Sequence, residues 1–270
     1  MVSIKRNSKG ELQEVEGRRV RKNSIYTPGQ NETFKISRSK FSTFVDCQRC
    51  FYLDRVKGLK DPSMPGWALN TTVDDLLKKE FDYYRDKELP HPIFEEYDLN
   101  FIPFQHKDLD KWRNSLTGGI SFHDLDTNLI LQGGIDDVWF NKTTNQLVVA
   151  DYKAQSSKID VEKNHYLNSQ YHQGYKIQMD IYVYILRQMG FDVSDTTYFM
   201  VCNGIKTVDE FDKKINFDVT LVDYDVDVSW IQPKIIEMKE VLESHTCPDR
   251  NPFCEHCAYL EEGAKLIATN

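Results

Sequence analysis

The run LVVADYK at 147–153 constrains this chain more than any other segment. Leu147 to Ala150 are apolar without interruption, the pattern of a strand covered on both faces rather than wetted on one. Directly beyond them, Asp151 and Lys153 are two apart, so both side chains leave one face of the same strand. Ionisable groups at the end of a buried strand cost free energy unless they pair or coordinate something. An ion pair of Lys153 with Asp151 or with Asp136 would meet that demand, and so would a bound cation.

The neighbouring segments supply the rest of a layered fold. GGIDDVWF at 133–140 belongs to a strand read over 128–140, which turns through NKTTNQ and returns as the strand 145–153. The glycines ahead of Asp136 mark a bulge or a close backbone approach. Asp137 alternates to the opposite face and is expected at the surface. Upstream, Phe41, Phe44, Val45, Phe51 and Tyr52 recur at helical spacing between an N-cap at Ser39 and a stop at Gly58, which predicts a helix over 40–57. A second amphipathic helix, 67–86, carries Leu69, Val73, Leu76, Leu77, Phe81 and Tyr84. Asp74 lies at the border of its buried stripe, while Asp75, Lys78 and Asp82 turn outward. Segments 93–101 and 120–123 are expected to be extended, and the polar stretch 155–174 to be a loop or lid. A helix over 175–189 follows, with Gln178 and Tyr182 four apart and facing the same way. Strands at 196–203 and 214–222 and a helix at 230–244 complete the order. That order predicts an α/β fold, a central mixed β-sheet flanked by helices on both faces.

A chain of 270 residues can bury a full core, and no internal repeat is visible. No apolar run approaches bilayer length, and the start, MVSIKRNSKGEL, has no hydrophobic signal segment. The expectation is a cytoplasmic protein without a membrane partner. A net charge of −8 argues against a broad basic surface of the kind that coats duplex DNA and leaves room for a local basic groove. Residues 1–36 read as a basic polar arm, in which Lys5, Arg6, Lys9, Arg18, Arg19, Arg21 and Lys22 outnumber Glu11, Glu14 and Glu16; the arm is either solvated or phosphate-contacting. Residues 37–262 form the folded domain and 263–270 a tail. His123, His165 and His172 have no ligand-like spacing with the acids and are assigned ordinary polar roles.

Six cysteines in a chain without a secretory signal point to metal binding or simple burial rather than disulfides. Cys47 and Cys50 are three apart on the first helix, Cys254 and Cys257 form a loop CxxC, Cys247 lies just upstream of them, and Cys202 reads as a core strand residue. Thiolates so grouped hold zinc or an iron–sulfur cluster.

Taken in order, a cysteine-bearing helix, an amphipathic helix, a GID strand, a DYK strand and a QxxxY helix ahead of clustered cysteines resemble the PD-(D/E)XK nuclease superfamily. Within it, the pattern is most similar to the RecB-type branch that includes the CRISPR-associated RecB-like iron–sulfur exonucleases. The resemblance covers about residues 36–260 and implies a restriction-endonuclease-like core. It implies that Asp136 is the first strand carboxylate, Asp151 and Lys153 the acid and lysine of the signature, and Gln178 and Tyr182 the QxxxY motif. Asn70 and Asp74, in NTTVD, stand where the family carries a glycine and a histidine; an aspartate there is a hard oxygen ligand that suits Mg²⁺ or Mn²⁺. Asp74, Asp136, Asp151 and the main-chain carbonyl of Tyr152 would hold the ion. Lys153 would orient water, and Gln178 and Tyr182 would support Lys153 or contact the DNA backbone.

The implied activity is that of a metal-dependent DNA exonuclease or end-processing nuclease acting on single strands or strand ends. Its setting would be repair, recombination or CRISPR adaptation, alone, as a homo-oligomer or with protein partners of those pathways. The alternative is a catalytically inactive nucleic-acid-binding module of the same fold. A [4Fe–4S] cluster is implied as well, with zinc as the alternative. Cys47 matches the first ligand and Cys254 and Cys257 the CxxC, whereas Gly263 stands in the region of the last; Cys247 completes the set, or Cys50 substitutes. Such a site would join the N-terminal helix to the C-terminus.

Overall fold

The computed structural model describes residues 4–64 and 66–268, and the apolar run at 147–150 falls within the middle strand of its larger sheet. In chain order the elements are β1 (Phe34–Ser37), α1 (Arg38–Asp46), α2 (Gln48–Arg55), α3 (Ala68–Asp86), α4 (Pro92–Glu96), β2 (Phe101–Pro103), α5 (Leu109–Arg113), β3 (Ile120–Asp124) and β4 (Leu129–Gly133). There follow β5 (Asp137–Asn141), β6 (Gln146–Gln155), α6 (Lys163–Asn168), α7 (Gln173–Gln188), β7 (Thr196–Gly204), β8 (Phe217–Asp225), α8 (Ile231–Glu243) and α9 (Glu255–Ala268). Among the described residues, no helix is long and apolar enough to cross a membrane. The elements gather into two units, one of Met1–Gly66, His123–Leu131 and Gln232–Asn270, the other of Trp67–Phe122 and Gln132–Ile231.

The second unit is built on a mixed five-stranded sheet in the order β2, β5, β6, β7, β8. β5 and β6 pair antiparallel, with Val138 opposite Val149. β6 and β7 pair parallel, with Asp151 opposite Phe199. A parallel neighbour requires a crossover, and α6 with α7 supply it. Every residue of β6 from Leu147 to Tyr152 is buried, because both faces are covered. On one face Leu77 and Phe81 of α3 join a cluster with Phe94, Trp139, Val148, Ala150 and Tyr152. Phe81 lies nearly parallel to Trp139 at 5.6 Å, and Phe94 meets Trp139 edge-on at 4.8 Å. On the other face lies α7, whose nine residues from Gln178 to Leu186 are all buried.

The first unit contains β1, α1, α2, α8 and α9, with parts of β3 and β4; β1, β4 and β3 pair in that order. Its core includes Phe41, Phe44, Phe51 and Tyr52. Within the segment read as an arm, Tyr26 is buried against Phe34 at 5.3 Å, and Arg19 pairs with Asp54 at 2.5 Å.

Several local expectations are corrected. The single helix over 40–57 is two helices, because Cys47 is extended, at φ −160° and ψ 106°. The N-cap of α1 is Ser37, whose hydroxyl accepts from the Lys40 amide at 3.4 Å, and not Ser39. Residues 93–96 of the segment 93–101, expected to be extended, lie in α4, with Pro92 pre-set for the first helical turn and His91 as its cap. The strand read over 128–140 is divided, since residues 134–136 pass between β4 and β5. A side chain at Gly134 would meet Ser115 at 2.7 Å, which is the close approach its glycine permits. The stretch 155–174 includes α6, and the CxxC expected in a loop opens α9.

Asp137 is the largest correction. It is fully buried, not a surface residue. The alternation is as predicted, but in a sheet covered on both faces the opposite face is core. Its carboxylate therefore takes the guanidinium groups of Arg85 and Arg113, the latter at 3.0 Å, and the Tyr152 hydroxyl at 2.7 Å. Asp82, expected to turn outward, closes this network through Arg113 at 2.8 Å. Removing one member of such a cage strands the others' charge. Asp137→Ala is therefore expected to lower the unfolding free energy by about 3–5 kcal/mol, read from urea denaturation.

Candidate active site

β6 and the turn before β5 bring the carboxylates together. Asp151 is fully buried on the α7 side of β6. The Gln178 side-chain amide donates to Asp151 Oδ1 at 2.6 Å and lies 3.1 Å from the Tyr182 hydroxyl. That hydroxyl in turn donates to the Gly134 carbonyl at 2.5 Å. The pair four apart on α7 thus fixes both the acid on β6 and the turn that carries Asp136. The expectation for this pair is support of Lys153 or contact with the DNA backbone; in the structure Gln178 bonds Asp151, which itself pairs with Lys153. Lys153 pairs with Asp151 Oδ2 and stands 4.4 Å over the Tyr175 ring.

Asp136 is held from two sides. Its Oδ2 accepts the Tyr152 amide at 3.0 Å, and its backbone carbonyl accepts Arg113 Nε at 3.1 Å. A strand residue's N–H and C=O leave the same edge, so the Tyr152 carbonyl lies on the Asp136 side. On α3, Asp74 Oδ2 accepts from Lys78 Nζ at 2.6 Å, whereas its Oδ1 is buried without a hydrogen-bond partner. Lys78 also lies 3.8 Å from Asp136 Oδ1. Lys78 therefore turns toward the site, contrary to the outward position expected of it. The signal for it was its spacing of four from Asp74, at which opposite charges meet on a helix. Asn70 donates to the Ala154 carbonyl at 3.3 Å and ties the start of α3 to the end of β6.

These groups open on a cavity of about 530 Å³ lined by Trp67, Asn70, Val73, Asp74, Tyr152, Lys153, Ala154 and Tyr175. A more apolar cleft of about 580 Å³ shares Trp67, Asn70, Val73 and Ala154 with it but carries none of the three aspartates. Of the three aspartates, Asp74 lines the smaller cavity, together with Lys153.

Negative charge in this cavity exceeds what burial tolerates. Burial, and then the charge of Asp151, push the Asp136 carboxyl up to about 7. Burial and Asp136 raise Asp74. Burial pulls the Lys153 ammonium down, but Asp151 and Asp136 more than offset it, and its pKa rises. An all-oxygen donor set with one orphaned carboxylate oxygen fits a hard divalent cation such as Mg²⁺ or Mn²⁺. The oxygens of the three aspartates do not all converge within 4.8 Å; among the described residues only a set of cysteines meets that condition.

That set is Cys47, Cys50, Cys254 and Cys257. Cys50, the substitute ligand of the sequence reading, is a member, and Cys247 is not. Cys202 is buried in β7. His123 and His172 hydrogen-bond Asn128 at 3.0 Å and the Tyr166 carbonyl at 2.8 Å, and His165 lies in α6, so none joins either cluster.

The raised Asp136 carboxyl has a consequence for stability. Its folded value of about 7 stands above the ordinary 3.8, so the folded state binds the proton more tightly. Metal-free protein is therefore expected to lose stability as pH rises from about 4 through about 7. The carboxyl carbon of Asp136 should titrate near 7 by NMR, and in Asp151→Asn that midpoint should fall.

The sequence model of the PD-(D/E)XK nuclease superfamily matches residues 69–261. Among solved structures, a candidate exonuclease from Eubacterium rectale aligns with a TM-score of 0.42 and 16% identity, over 83% of this chain and 87% of that one. No curated protein matches the sequence. The superfamily match runs from α3 into α9 and takes in Asp74, Asp136, Asp151, Lys153, Gln178 and Tyr182. With well over half of its length matched, this chain belongs to the PD-(D/E)XK nuclease superfamily.

Proposed function

We propose that this protein is a divalent-metal-dependent deoxyribonuclease that works on single strands or strand ends. The observation that carries the reading is the electrostatic chain from Asp151 through Asp136 to Asp74 beside a cavity that Asp74 and Lys153 line, with the Asp136 carboxyl raised to about 7 and one Asp74 oxygen left unpartnered. Asp74, Asp136, Asp151 and the Tyr152 carbonyl would hold Mg²⁺ or Mn²⁺, which when bound polarises a phosphate oxygen and acidifies an adjacent water.

The chain's own groups do the rest. Gln178 keeps Asp151 in one rotamer, and Tyr182 keeps the Gly134 turn, and with it Asp136, in register. Lys153, held between Asp151 and the Tyr175 ring, would orient the attacking water and offset charge developing on the phosphate. Trp67, largely exposed beside the cavity, and Tyr175 within it offer ring faces on which unpaired bases stack. That favours frayed or single-stranded ends over duplex, as does the net charge of −8. Processing of DNA ends in repair, recombination or CRISPR adaptation is the setting that the RecB-type resemblance supports.

One observation favours a second reading, a binding module of the same fold that does not cleave. Lys78 already neutralises Asp74, and it sits 3.8 Å from Asp136, in the space between two proposed ligands.

End-labelled single- and double-stranded DNA incubated with the protein and Mn²⁺ or Mg²⁺ separates the two. Under the first reading the wild type shortens the labelled strand, chelator stops it, and Lys153→Ala slows it by about 10²–10³-fold. Asp151→Asn should leave no activity. A wild type as inert as Asp151→Asn that still retains DNA on a filter would establish the second reading instead.

A further inference from the structure

The four sulfurs of the first unit converge on a point. Cys47 Sγ lies 3.6 Å from Cys257 Sγ, and Cys50 Sγ lies 3.5 Å from Cys254 Sγ and 3.3 Å from Cys257 Sγ. Every pair in the set is within 4.8 Å. Four thiolates around one tetrahedral zinc, at Zn–S distances of about 2.3 Å, stand about 3.8 Å apart. In a [4Fe–4S] cluster each thiolate caps a different iron, so the sulfurs are held apart by the width of the cube and do not share one centre. The observed set has the first geometry. The cluster implied by the sequence resemblance does not fit it.

The ligand pattern agrees. The resemblance calls for one cysteine before the core and three after it, whereas here two CxxC pairs face each other. Each spans the first turn of a helix: Cys47 is the N-cap of α2, and Cys254 immediately precedes α9. Helix N-termini favour thiolate over thiol, and the Cys257 amide points at Cys254 Sγ from 3.4 Å. Beyond the sulfurs, His256 Nδ1 lies 3.5 Å from Cys50 Sγ, and its Nε2 is 3.4 Å from Asp61. That arrangement orients a ligand from outside the metal shell.

We infer that Cys47, Cys50, Cys254 and Cys257 bind a single tetrahedral zinc ion in a closed structural site, and that Cys247 takes no part. With four protein thiolates the ion has no open position for substrate or water, so it holds the α2 and α9 turns together and undergoes no redox change.

The test uses the full chain, expressed with iron and zinc both supplied and purified without oxygen. Expected are one zinc per chain by elemental analysis, no acid-labile sulfide and no visible absorption. Zinc should be kept in Cys247→Ser and lost in Cys50→Ser. Should Cys50→Ser fail to fold, cobalt exchanged into the wild type decides: ligand-field bands of tetrahedral thiolate cobalt are expected. Iron with matching sulfide and a broad visible band that bleaches on reduction would overturn the inference. So would metal-free protein with oxidised cysteines, zinc lost in Cys247→Ser, or an octahedral cobalt spectrum.

Discussion

A carboxylate with no exposure, on the middle strand of a sheet covered on both faces, must be compensated by something built for the purpose. Asp151 imposes that condition, and the polar architecture of the second unit answers it. Gln178 donates to one of its oxygens and Lys153 pairs with the other, and Tyr182 extends the bond network to Gly134. The same network sets the position of Asp136. Asp151 raises the cost of ionising Asp136, and two ammonium groups, Lys78 and Lys153, lie against the pair. The charge balance of the cavity is therefore local and leaves little slack.

Asp136 and Asp137 show how one residue of alternation decides chemistry. The first lies beside Lys78, and burial and Asp151 raise its carboxyl to about 7. The second faces the core, where two arginines and a tyrosine hydroxyl enclose its carboxylate. Arg113 serves both, since it also bonds the Asp136 carbonyl. The sealed pair thus braces the reactive one, and rigidity in the core becomes geometric precision at the site.

Much of this was legible because LVVADYK fixes a covered strand and the ends of α3 and α7 are marked by strong apolar stripes. GGID correctly announced a backbone irregularity, and the facing of Gln178 and Tyr182 followed from a spacing of four. What was missed has a common cause. Asp137 and Lys78 were assigned to solvent because their own element was read alone, whereas their partners come from other elements: Arg85 and Arg113 for Asp137, Asp136 for Lys78. Tertiary pairing is not written in local periodicity. The break at Cys47 and the start of α9 at the second CxxC were missed for a related reason, since two helix termini are fixed by where their sulfurs meet, 204 residues apart for Cys50 and Cys254.

The first unit draws its residues from both ends of the chain, and the second lies almost entirely between them. Synthesis therefore delivers Cys47 and Cys50 long before their counterparts. At roughly 5–20 residues per second, the interval to Cys254 is on the order of 10–40 s. Every residue of the second unit is synthesised before Cys254, while Cys47 and Cys50 precede all of it. A chain cut short before the last CxxC would thus carry every proposed catalytic residue and lack one of the two cysteine pairs of its other unit.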